Sequence, residues 1–417
     1  MELSHANGEF ALDVFRALCK ESEGPRPSSL IISPLSISTA LAMVYLGARN
    51  KTQEEMGKVL KFGQVSDVHS HFNSLMEKIT APSSYTLNLA NRLFGQQSFN
   101  FSQEFLGEVQ KKYLADLQAM DFVSATEAAR GTINTWVEDK TENKIKELLK
   151  AGVLTPMTRL VLVNAVYFKG NWMHRFKPEN TKEKPFKITK TETRPVQMMH
   201  QKQKLPHNWV REPNLQVVEL PYTDPQLSMA ILLPPEDTLD TITSLAEELN
   251  IFFARFEVQP PDTAIHNTPG YSSHSLVLEE QQVMSKLTIS KLLEWTDPSN
   301  LRRQNVHLHL PRFKLESSAS LAGTLTVLGM GSLFDCSSAD LTGISVDRGL
   351  SLSALAHGVV CEVNEVGTEA AAATVDICMT VSIDRTLIFM ADHPFLFLIM
   401  HKPTRSILFL GSYCGPE

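Results

Sequence analysis

The residue patterns on which many enzymes depend are missing from this chain of 417 residues. It contains no Gly-x-Ser-x-Gly nucleophile turn, no His-Glu-x-x-His metal-binding helix and no Gly-x-x-x-x-Gly-Lys phosphate loop. His307 and His309 alternate along a β-like stretch, so their imidazoles would share one strand face and could begin a metal site. No third ligand is evident nearby, and a solvent-facing strand is the simpler interpretation. We therefore expect neither an enzyme nor a metal or other cofactor.

The most informative segment is 365–374, which reads Glu-Val-Gly-Thr-Glu-Ala-Ala-Ala-Ala-Thr. Four consecutive alanines favour a helix. Gly367 precedes them, however, and β-branched residues follow, so propensity does not decide between a helix and an extended chain. Small side chains meet little steric resistance. A strand of alanine and threonine could therefore slip between two strands of a sheet that has already formed.

The elements that would surround this segment change in type along the chain. Apolar residues at helical spacing predict helices at 10–18, 36–46, 65–79 and 127–149. Short β-branched or aromatic stretches predict strands at 160–168, 216–220, 227–233, 306–313, 396–399 and 407–410. Helices followed by strands indicate an α+β fold. No repeat or long linker divides the chain, so we expect a single domain over residues 1–417.

Composition and charge exclude several classes of protein. The chain is 43% hydrophobic and 20% charged, which is typical of a globular protein and not of a disordered one. Its 39 basic and 46 acidic residues give a net charge of −7, which lacks the excess of positive charge that nucleic-acid binding proteins carry. No apolar run is long enough to cross a membrane, and the N-terminus lacks a cleavable signal peptide.

The cysteines suggest where the protein works. There are five, scattered and without a Cys-x-x-Cys pair, so neither a zinc site nor a disulfide framework is indicated. Such a set favours the cytosol, where thiols stay reduced. We expect a cytoplasmic protein, and its release from the cell by a route without a signal peptide stays open.

The 365–374 segment resembles the proximal hinge of inhibitory serpins. Other stretches resemble motifs of that family and occur in the family's order along the chain, namely 31–38, 133–145, 164–172 and 392–397. Each motif is moderately specific, and five in the right order make chance a poor explanation. The first seven residues run straight into a helix, which resembles the intracellular ovalbumin-type (clade B) serpins.

The resemblance implies a serpin fold of three β-sheets and about eight or nine helices, with a hinge and an exposed reactive-centre loop at 365–390. It implies a suicide-substrate inhibitor of serine proteases. The protease forms an acyl-enzyme with the loop, and the cleaved loop then inserts into the central sheet and traps it. The native state would be a kinetic trap rather than the free-energy minimum.

The same resemblance assigns roles to individual residues. The hinge would comprise Glu365, Gly367, Thr368, Glu369, Ala370, Ala371, Ala372, Ala373 and Thr374. A buried polar shutter, which sets how readily the central sheet opens, would comprise Ser33, Ser36, Asn164 and His357. Trp172 would lie at the breach, the end of the sheet where insertion begins. For the shutter and Trp172, a satisfied core cluster and a core aromatic are the plainer readings.

The cleaved bond follows from a count. In inhibitory serpins it usually lies seventeen residues into the segment that begins at the hinge glutamate, and 381 − 365 + 1 = 17 places it between Val381 and Ser382. A compact apolar residue suits the small primary pocket of elastase-like proteases. If the register slips, the alternatives are Met379, Thr380 and Ile383. Arg385 would suit a trypsin-like protease but lies four residues too late (385 − 381 = 4).

Two features depart from the family pattern. Residues 248–280 are rich in proline, glycine and serine with weak periodicity, and we interpret them as an atypical loop insertion of unassigned role. Side chains two residues apart point to the same face of a strand, so Asp376 would point inward together with Thr368 when the loop inserts. A carboxylate buried without a partner costs several kcal/mol or becomes protonated. We therefore expect some substrate-like turnover beside inhibition.

The expected partners are elastase- and chymotrypsin-like serine proteases, and the sequence does not separate these from cysteine proteases. The alternative function is that of a non-inhibitory serpin for storage, transport or chaperoning. Such serpins usually carry bulky or charged hinge residues, and 368–374 argues against that class. The helix-like stretch 67–79 has one lysine and no arginine, so we expect no strong heparin site. A monomer is expected.

Overall fold

We analysed a computed structural model of the chain, which describes residues 2–21, 28–81, 84–235, 287–368 and 386–416. The predicted insertion at 248–280 and the hinge and loop residues 369–385 lie outside the described residues. The fold is α+β, as the sequence predicts. In the described ranges, no helix combines the length and the apolar character needed to cross a membrane.

The helices concentrate in the first third of the chain. Those before residue 141 are α1 (Leu3–Glu21), α2 (Pro34–Gly47), α3 (Asn50–Val59), α4 (Val68–Ile79), α5 (Gln103–Tyr113) and α6 (Thr126–Lys140). Three short helices follow, α7 (Ile289–Trp295), α8 (Ala322–Val327) and α9 (Gly331–Phe334). The described residues thus contain nine α-helices, within the expected number.

Two predicted helices differ from those observed. The helix predicted over 127–149 ends at Lys140, because Glu142 and Asn143 have positive φ values of 51° and 61° and interrupt the helix. The apolar residues beyond it are buried all the same, since a turn-rich segment carries them onto a sheet. The helix predicted over 65–79 begins at Val68, where the Asp67 carboxylate accepts a hydrogen bond from the Ser70 amide at 3.3 Å.

A six-stranded sheet has the order β10-β11-β12-β4-β2-β3. Its strands are β2 (Thr86–Gln96), β3 (Leu117–Met120), β4 (Leu160–Asn171), β10 (Phe313–Ser320), β11 (Leu352–Val363) and β12 (Gly367–Thr368). β4 and β11 lie at its centre and run parallel to each other. Of these strands the sequence predicted β4, but it did not predict β2, β3, β10 or β11.

The other strands form a nine-stranded sheet of order β1-β15-β14-β8-β7-β6-β9-β13, in which β5 also pairs with β6. They are β1 (Leu30–Ile32), β5 (Lys182–Lys187), β6 (Thr193–Val210), β7 (Leu215–Pro221), β8 (Leu227–Leu233), β9 (Arg302–Pro311), β13 (Leu387–Met390), β14 (Phe395–His401) and β15 (Ser406–Tyr413). The long strand β6 pairs with β9 over 198–207 and with β7 over 207–210. Two of the three expected sheets are therefore continuous with each other, because β6 pairs with strands of both.

Apolar residues cover both faces of the six-stranded sheet. The main core lies between this sheet, α1, α2 and strands of the other sheet. On the opposite face, α6 and residues 145–154 pack on alternating residues of β4 and β11. β4 is buried along nearly its whole length, as expected for a strand covered on both faces.

Candidate functional site

The central pair of strands in the six-stranded sheet is closed along most of its length and split at one end. β11 pairs directly with β4 from Leu352 opposite Leu160 to Val360 opposite Tyr167. Beyond that point the two-residue strand β12 lies between them, with Thr368 opposite both Val363 of β11 and Gly170 of β4. The chain that continues from β12 therefore starts at the point where the two strands separate.

Gly367 fits this narrow position because it has no side chain. Its φ of +154° disfavours other residues, and a Cβ atom here would lie 2.1 Å from the carbonyl oxygen of Gly170. The Asn364 side-chain oxygen accepts hydrogen bonds from the amides of Val366 and Gly367, at 3.0 and 3.2 Å. These bonds hold the turn that leads into β12.

Glu365, the first residue of the predicted hinge, is fixed by its surroundings. Its carboxylate accepts a hydrogen bond from the Thr181 hydroxyl at 2.7 Å, and its carbonyl accepts one from the Phe176 amide at 2.9 Å. The Arg312 guanidinium is 3.9 Å from the same carboxylate. This ion pair is half-exposed on the arginine side and contributes little, so the hydrogen bonds do most of the anchoring.

Trp172 lies at the split end, where the sequence predicted the breach. Its indole N–H donates to the Asn364 carbonyl at 3.0 Å, and its backbone amide donates to the Val366 carbonyl at 2.9 Å. The ring is 1% exposed and stacks on Tyr222, with centroids 4.6 Å apart. Trp172 therefore joins the turn at 364–366, which precedes β12, to the end of β4.

We call the line along which β11 and β4 meet the central seam. The four predicted shutter residues come together under its closed part, where the two strands pair directly. The Ser33 amide donates to His357 Nε2 at 3.2 Å, and His357 Nδ1 contacts the Asn164 side-chain oxygen. Asn164 Nδ2 donates in turn to the Ser36 hydroxyl. His357 on β11 and Asn164 on β4 are register partners. Their hydrogen bond thus joins the two central strands of the sheet.

The charge and tautomer of His357 follow from this environment. The side chain is fully buried, and burial lowers the pKa of His357 to about 3, so the imidazole is neutral at pH 7. Because Nε2 accepts from the Ser33 amide, the single ring proton is on Nδ1 and is donated to Asn164. Each bond of the cluster has a donor and an acceptor, which is what a buried polar group requires.

Sequence reasoning missed several contributors to this region. Asn91 on β2 accepts a hydrogen bond from Asn164 Nδ2 through its side-chain oxygen. Asn364 and Tyr222 hold Trp172 from two sides. Only the strand register places Asn91 opposite Asn164. The short alternation of polar and apolar residues along 86–89 was the available signal for a strand there.

The layer over the seam would also respond to opening. Ile133 and Val137 of α6, with Ile145 and Leu148 beyond it, belong to the cluster that covers β4 and β11 on this face. Asn134 fastens the two parts of this layer, since its side chain donates to the Leu149 carbonyl at 2.9 Å and accepts from the Leu149 amide at 2.8 Å. Separating β4 from β11 must therefore shift this layer.

The positions of the remaining predicted hinge and reactive-bond side chains are outside the part of the chain that the structure describes. Only the backbone of Thr368 is described, and Glu369, Ala370, Ala371, Ala372, Ala373, Thr374, Val381 and Ser382 lie outside the described residues. A third histidine does lie against His307 and His309, although no group of three or more His, Cys, Asp or Glu side chains among the described residues could hold a metal ion. The β6–β9 register brings His200 against both, and all three are partly buried.

A central parallel seam split by the start of a hinge, above a buried His–Asn cluster, defines the serpin class of fold. A family model described as Serpin (serine protease inhibitor) matches residues 5–257 and 277–416. The chain belongs to the serpin family.

Individual relatives refine this assignment. The chain is 45% identical to a leukocyte elastase inhibitor of Xenopus tropicalis, with 99% of each chain covered. It is also 45% identical to that of Homo sapiens, with 100% of each covered. Among solved structures it is similar to uncleaved ovalbumin (TM-score 0.80, 30% identity, 100% of each chain) and to a tumour suppressing serpin (TM-score 0.80, 31% identity, 99% of each chain).

Proposed function

We propose that this serpin inhibits elastase-like serine proteases by inserting its cleaved loop between β11 and β4. The observation that carries the proposal is β12, whose two residues already separate these strands at one end. Family membership supports inhibition, and the relatives named as leukocyte elastase inhibitors support an elastase-like target. The proposed role is that of a consumed substrate and not of an enzyme.

The chemistry is supplied by the protease. Its serine oxygen attacks the carbonyl carbon of Val381, the peptide bond to Ser382 breaks, and Ser382 keeps the new amino group. Val381 remains joined to the protease as an ester. Water can hydrolyse that ester, which gives turnover, or the loop can insert first. The serpin residues act on this competition by setting the rate of insertion.

Insertion is favourable because it adds a strand to a closed seam. Along 352–360, β11 and β4 now bond to each other. An inserted strand would bond to both, so one ladder is exchanged for two, and each added bond contributes about 1 kcal/mol net. Direct pairing and the shutter cluster oppose this step before cleavage. The result is a native state that is held by a barrier.

The site of cleavage is proposed from the hinge count. We infer the bond between Val381 and Ser382, in the loop that joins β12 to β13 within a single domain. The predicted loop range of 365–390 is too long, because Gly367–Thr368 form β12 and Leu387–Met390 form β13 in the sheets. A compact apolar residue at the cleaved position fits an elastase-like pocket. We further infer a cytoplasmic monomer that needs no cofactor. The four described cysteines, which are free thiols, fit a reducing compartment.

The experiment is incubation with neutrophil elastase, chymotrypsin, trypsin and a papain-like cysteine protease, followed by denaturing gels and mass spectrometry. We expect a covalent complex with elastase and a released C-terminal peptide that begins at Ser382. Cleavage of the loop by every protease without any complex would favour a non-inhibitory serpin. A sole cut after Arg385 would overturn the assigned bond. A complex with only the cysteine protease would overturn the target class.

A further inference from the structure

A basic strip crosses the outer face of the nine-stranded sheet, away from the central seam. On the inner face of β9 the side chains of Val306 and Leu308 are fully buried, so the residues that alternate with them point outward. The register with β5 and β6 carries this outer face across all three strands. It holds five exposed or half-buried basic side chains, namely Lys182, Lys184, Lys202, Lys204 and Arg303.

Three histidines lie among these side chains. His200 on β6 is opposite His309 on β9, and two residues further along β6, Lys202 is opposite His307. His200 Nε2 is 3.1 Å from His307 Nδ1. Lys184 reaches the same group from β5, since its ammonium is 3.3 Å from His309 Nδ1. Basic side chains of β5 and β6 therefore flank one group of imidazoles.

The imidazoles add hydrogen-bond donors to this positive charge. An ammonium group can only donate, so His309 Nδ1 accepts from Lys184, and the proton of the neutral ring lies on Nε2. The bond between His200 and His307 uses one N–H of that pair and leaves another. Protonation of any ring would add a donor and a positive charge. In either state the group suits an oxyanion and opposes a cation.

Little on the protein neutralises the strip. Among the residues that the structure describes, no carboxylate lies within ion-pair distance of any of its five basic side chains. Asp392 interacts with His309, but its carboxylate already contacts Lys187 at 3.6 Å and His393 at 2.9 Å. The net charge of −7 is a sum over the whole chain and does not exclude a local positive field.

The spacing of the strip suits an extended anion. Lys202 and Lys204 are two residues apart on β6, which is about 6.6 Å along the strand. Arg303 is opposite Pro206, six residues along β6 from His200 (206 − 200 = 6), so the strip runs for about 20 Å. A single phosphate group covers only part of this length. The described residues of the strip include no Phe, Tyr or Trp on which the bases of a nucleic acid could stack.

We propose that this strip binds a linear chain of phosphate groups, of the inorganic polyphosphate kind. Ammonium, guanidinium and imidazole N–H groups all donate to phosphate oxygens. An unbranched chain with a charge on every unit can meet successive side chains along β6. The expectation of no strong heparin site concerns residues 67–79, a different region of the protein. A bound phosphate chain would link β5, β6 and β9 and so stabilise the native protein.

The test is calorimetric titration of phosphate, tripolyphosphate and a longer polyphosphate into the full chain, produced without a polyhistidine tag and kept in a buffer free of phosphate and divalent cations. We expect the affinity to rise with the length of the phosphate chain and to fall as salt is added, because salt screens exposed charges. Lys184→Gln and Lys202→Gln should each weaken binding of the longer polyphosphate several-fold. Lys150→Gln removes the same charge from an exposed position beside the six-stranded sheet and should leave binding unchanged.

Ile388→Lys supplies a test in the opposite direction, which loss of folding cannot imitate. Ile388 is 62% exposed and is the register partner of His307 on β13, so a lysine there should tighten polyphosphate binding several-fold. The proposal is overturned if the parent chain binds no polyphosphate, if Lys150→Gln weakens binding as much as the strip variants do, or if Ile388→Lys binds no more tightly. Tighter binding of a heparin fragment or of single-stranded DNA at the same salt concentration would overturn the assigned class of ligand.

Discussion

The two ends of the central seam differ in what holds them. At the breach, β12 already separates β11 from β4, and Trp172 and Asn364 fix the turn that leads into it. At the shutter, β11 and β4 pair directly and the His357–Asn164 hydrogen bond joins them below the surface. On the proposed mechanism, the breach would set where an inserting strand enters, and the shutter would set how much resistance it meets.

The difference implies a direction for the reaction. A strand that extends β12 would open the β11–β4 ladder one pair at a time from Val360 towards Leu352. It would reach the His357–Asn164 pair after three register pairs, since 360 − 357 = 3. Variants at the two ends should therefore fail differently. Changes at the hinge should stop insertion, and changes at the shutter should make the sheet open too easily.

The largest effect is expected from Thr368→Arg, which places a guanidinium in the residue that already pairs with β11 and β4 and from which insertion would continue. A buried charge without a partner costs several kcal/mol, so insertion should become slower than hydrolysis of the ester. Gels should show the loop cleaved by elastase and the covalent complex absent. The control is Val346→Arg, at a position that is 77% exposed. An unchanged yield of complex would mean that insertion does not begin at Thr368.

Asn164→Ala should weaken the other end. It leaves His357 Nδ1 and the Asn91 oxygen without the partners they now have, and each buried group so left costs about 1–3 kcal/mol. We expect a lower melting temperature and faster polymer formation on mild heating, measured by calorimetry and native gels. Asn88→Ala, on the partly exposed face of β2, serves as the comparison. Equal effects of the two variants would remove the shutter from this account.

Lowering the pH should destabilise the shutter without any substitution, because His357 is buried in its neutral form. His357 has a folded pKa of about 3, below the 6.5 of the unfolded chain, so its contribution to stability is present above pH 6.5 and is lost as the pH falls towards 3. From pH 7 to pH 5 this loss is about 2 kcal/mol, at 1.36 kcal/mol per unit. Denaturant unfolding across this range should show a smaller pH dependence for His357→Gln than for the parent. His71→Gln is the exposed control, and a slope in His357→Gln equal to the parent's would refute the assignment.

The smallest effect is expected from Asp376→Ala, because this residue would enter after the shutter has yielded. The variant removes a desolvation cost of about 1–3 kcal/mol. If half of it falls on the barrier, insertion accelerates several-fold, since 1.4 kcal/mol is tenfold in rate. The moles of inhibitor consumed per mole of protease trapped should move closer to one. A ratio that stays the same or rises would mean that Asp376 finds a partner, faces outward or enters after trapping.

Much of the fold and the shutter could be predicted from the sequence, because the informative residues lie in short contiguous motifs. Ser33, Ser36, Asn164 and Trp172 lie in such motifs, and His357 was assigned from its position eight residues before Glu365 (365 − 357 = 8). The structure brings Ser33, Ser36, Asn164 and His357 together. What the sequence could not provide was register. Asn91 and Tyr222 meet their partners across strands and bridges.

The errors have similar physical causes. Residues 141–149 kept an apolar spacing that suited a helix, and the positive φ of Glu142 and Asn143 is not written in that spacing. His200, which contacts His307 and His309, is more than a hundred residues away from them in sequence, and only the β6–β9 pairing brings the three together. Local patterns predicted several of the helices and strands, and long-range pairing decided which side chains meet.

The central claim is that β11 and β4 must separate for inhibition, and a reversible covalent lock tests it most directly. Val163 and Ala356 are register partners across the seam, and neighbouring strands lie within the Cα separation that a disulfide tolerates. We predict that the double variant Val163→Cys and Ala356→Cys, once oxidised, is cleaved by elastase without forming the covalent complex. Reduction of the same sample should restore the complex, while the parent chain should trap elastase under both conditions. A locked protein that traps elastase as well as the reduced one would contradict the account.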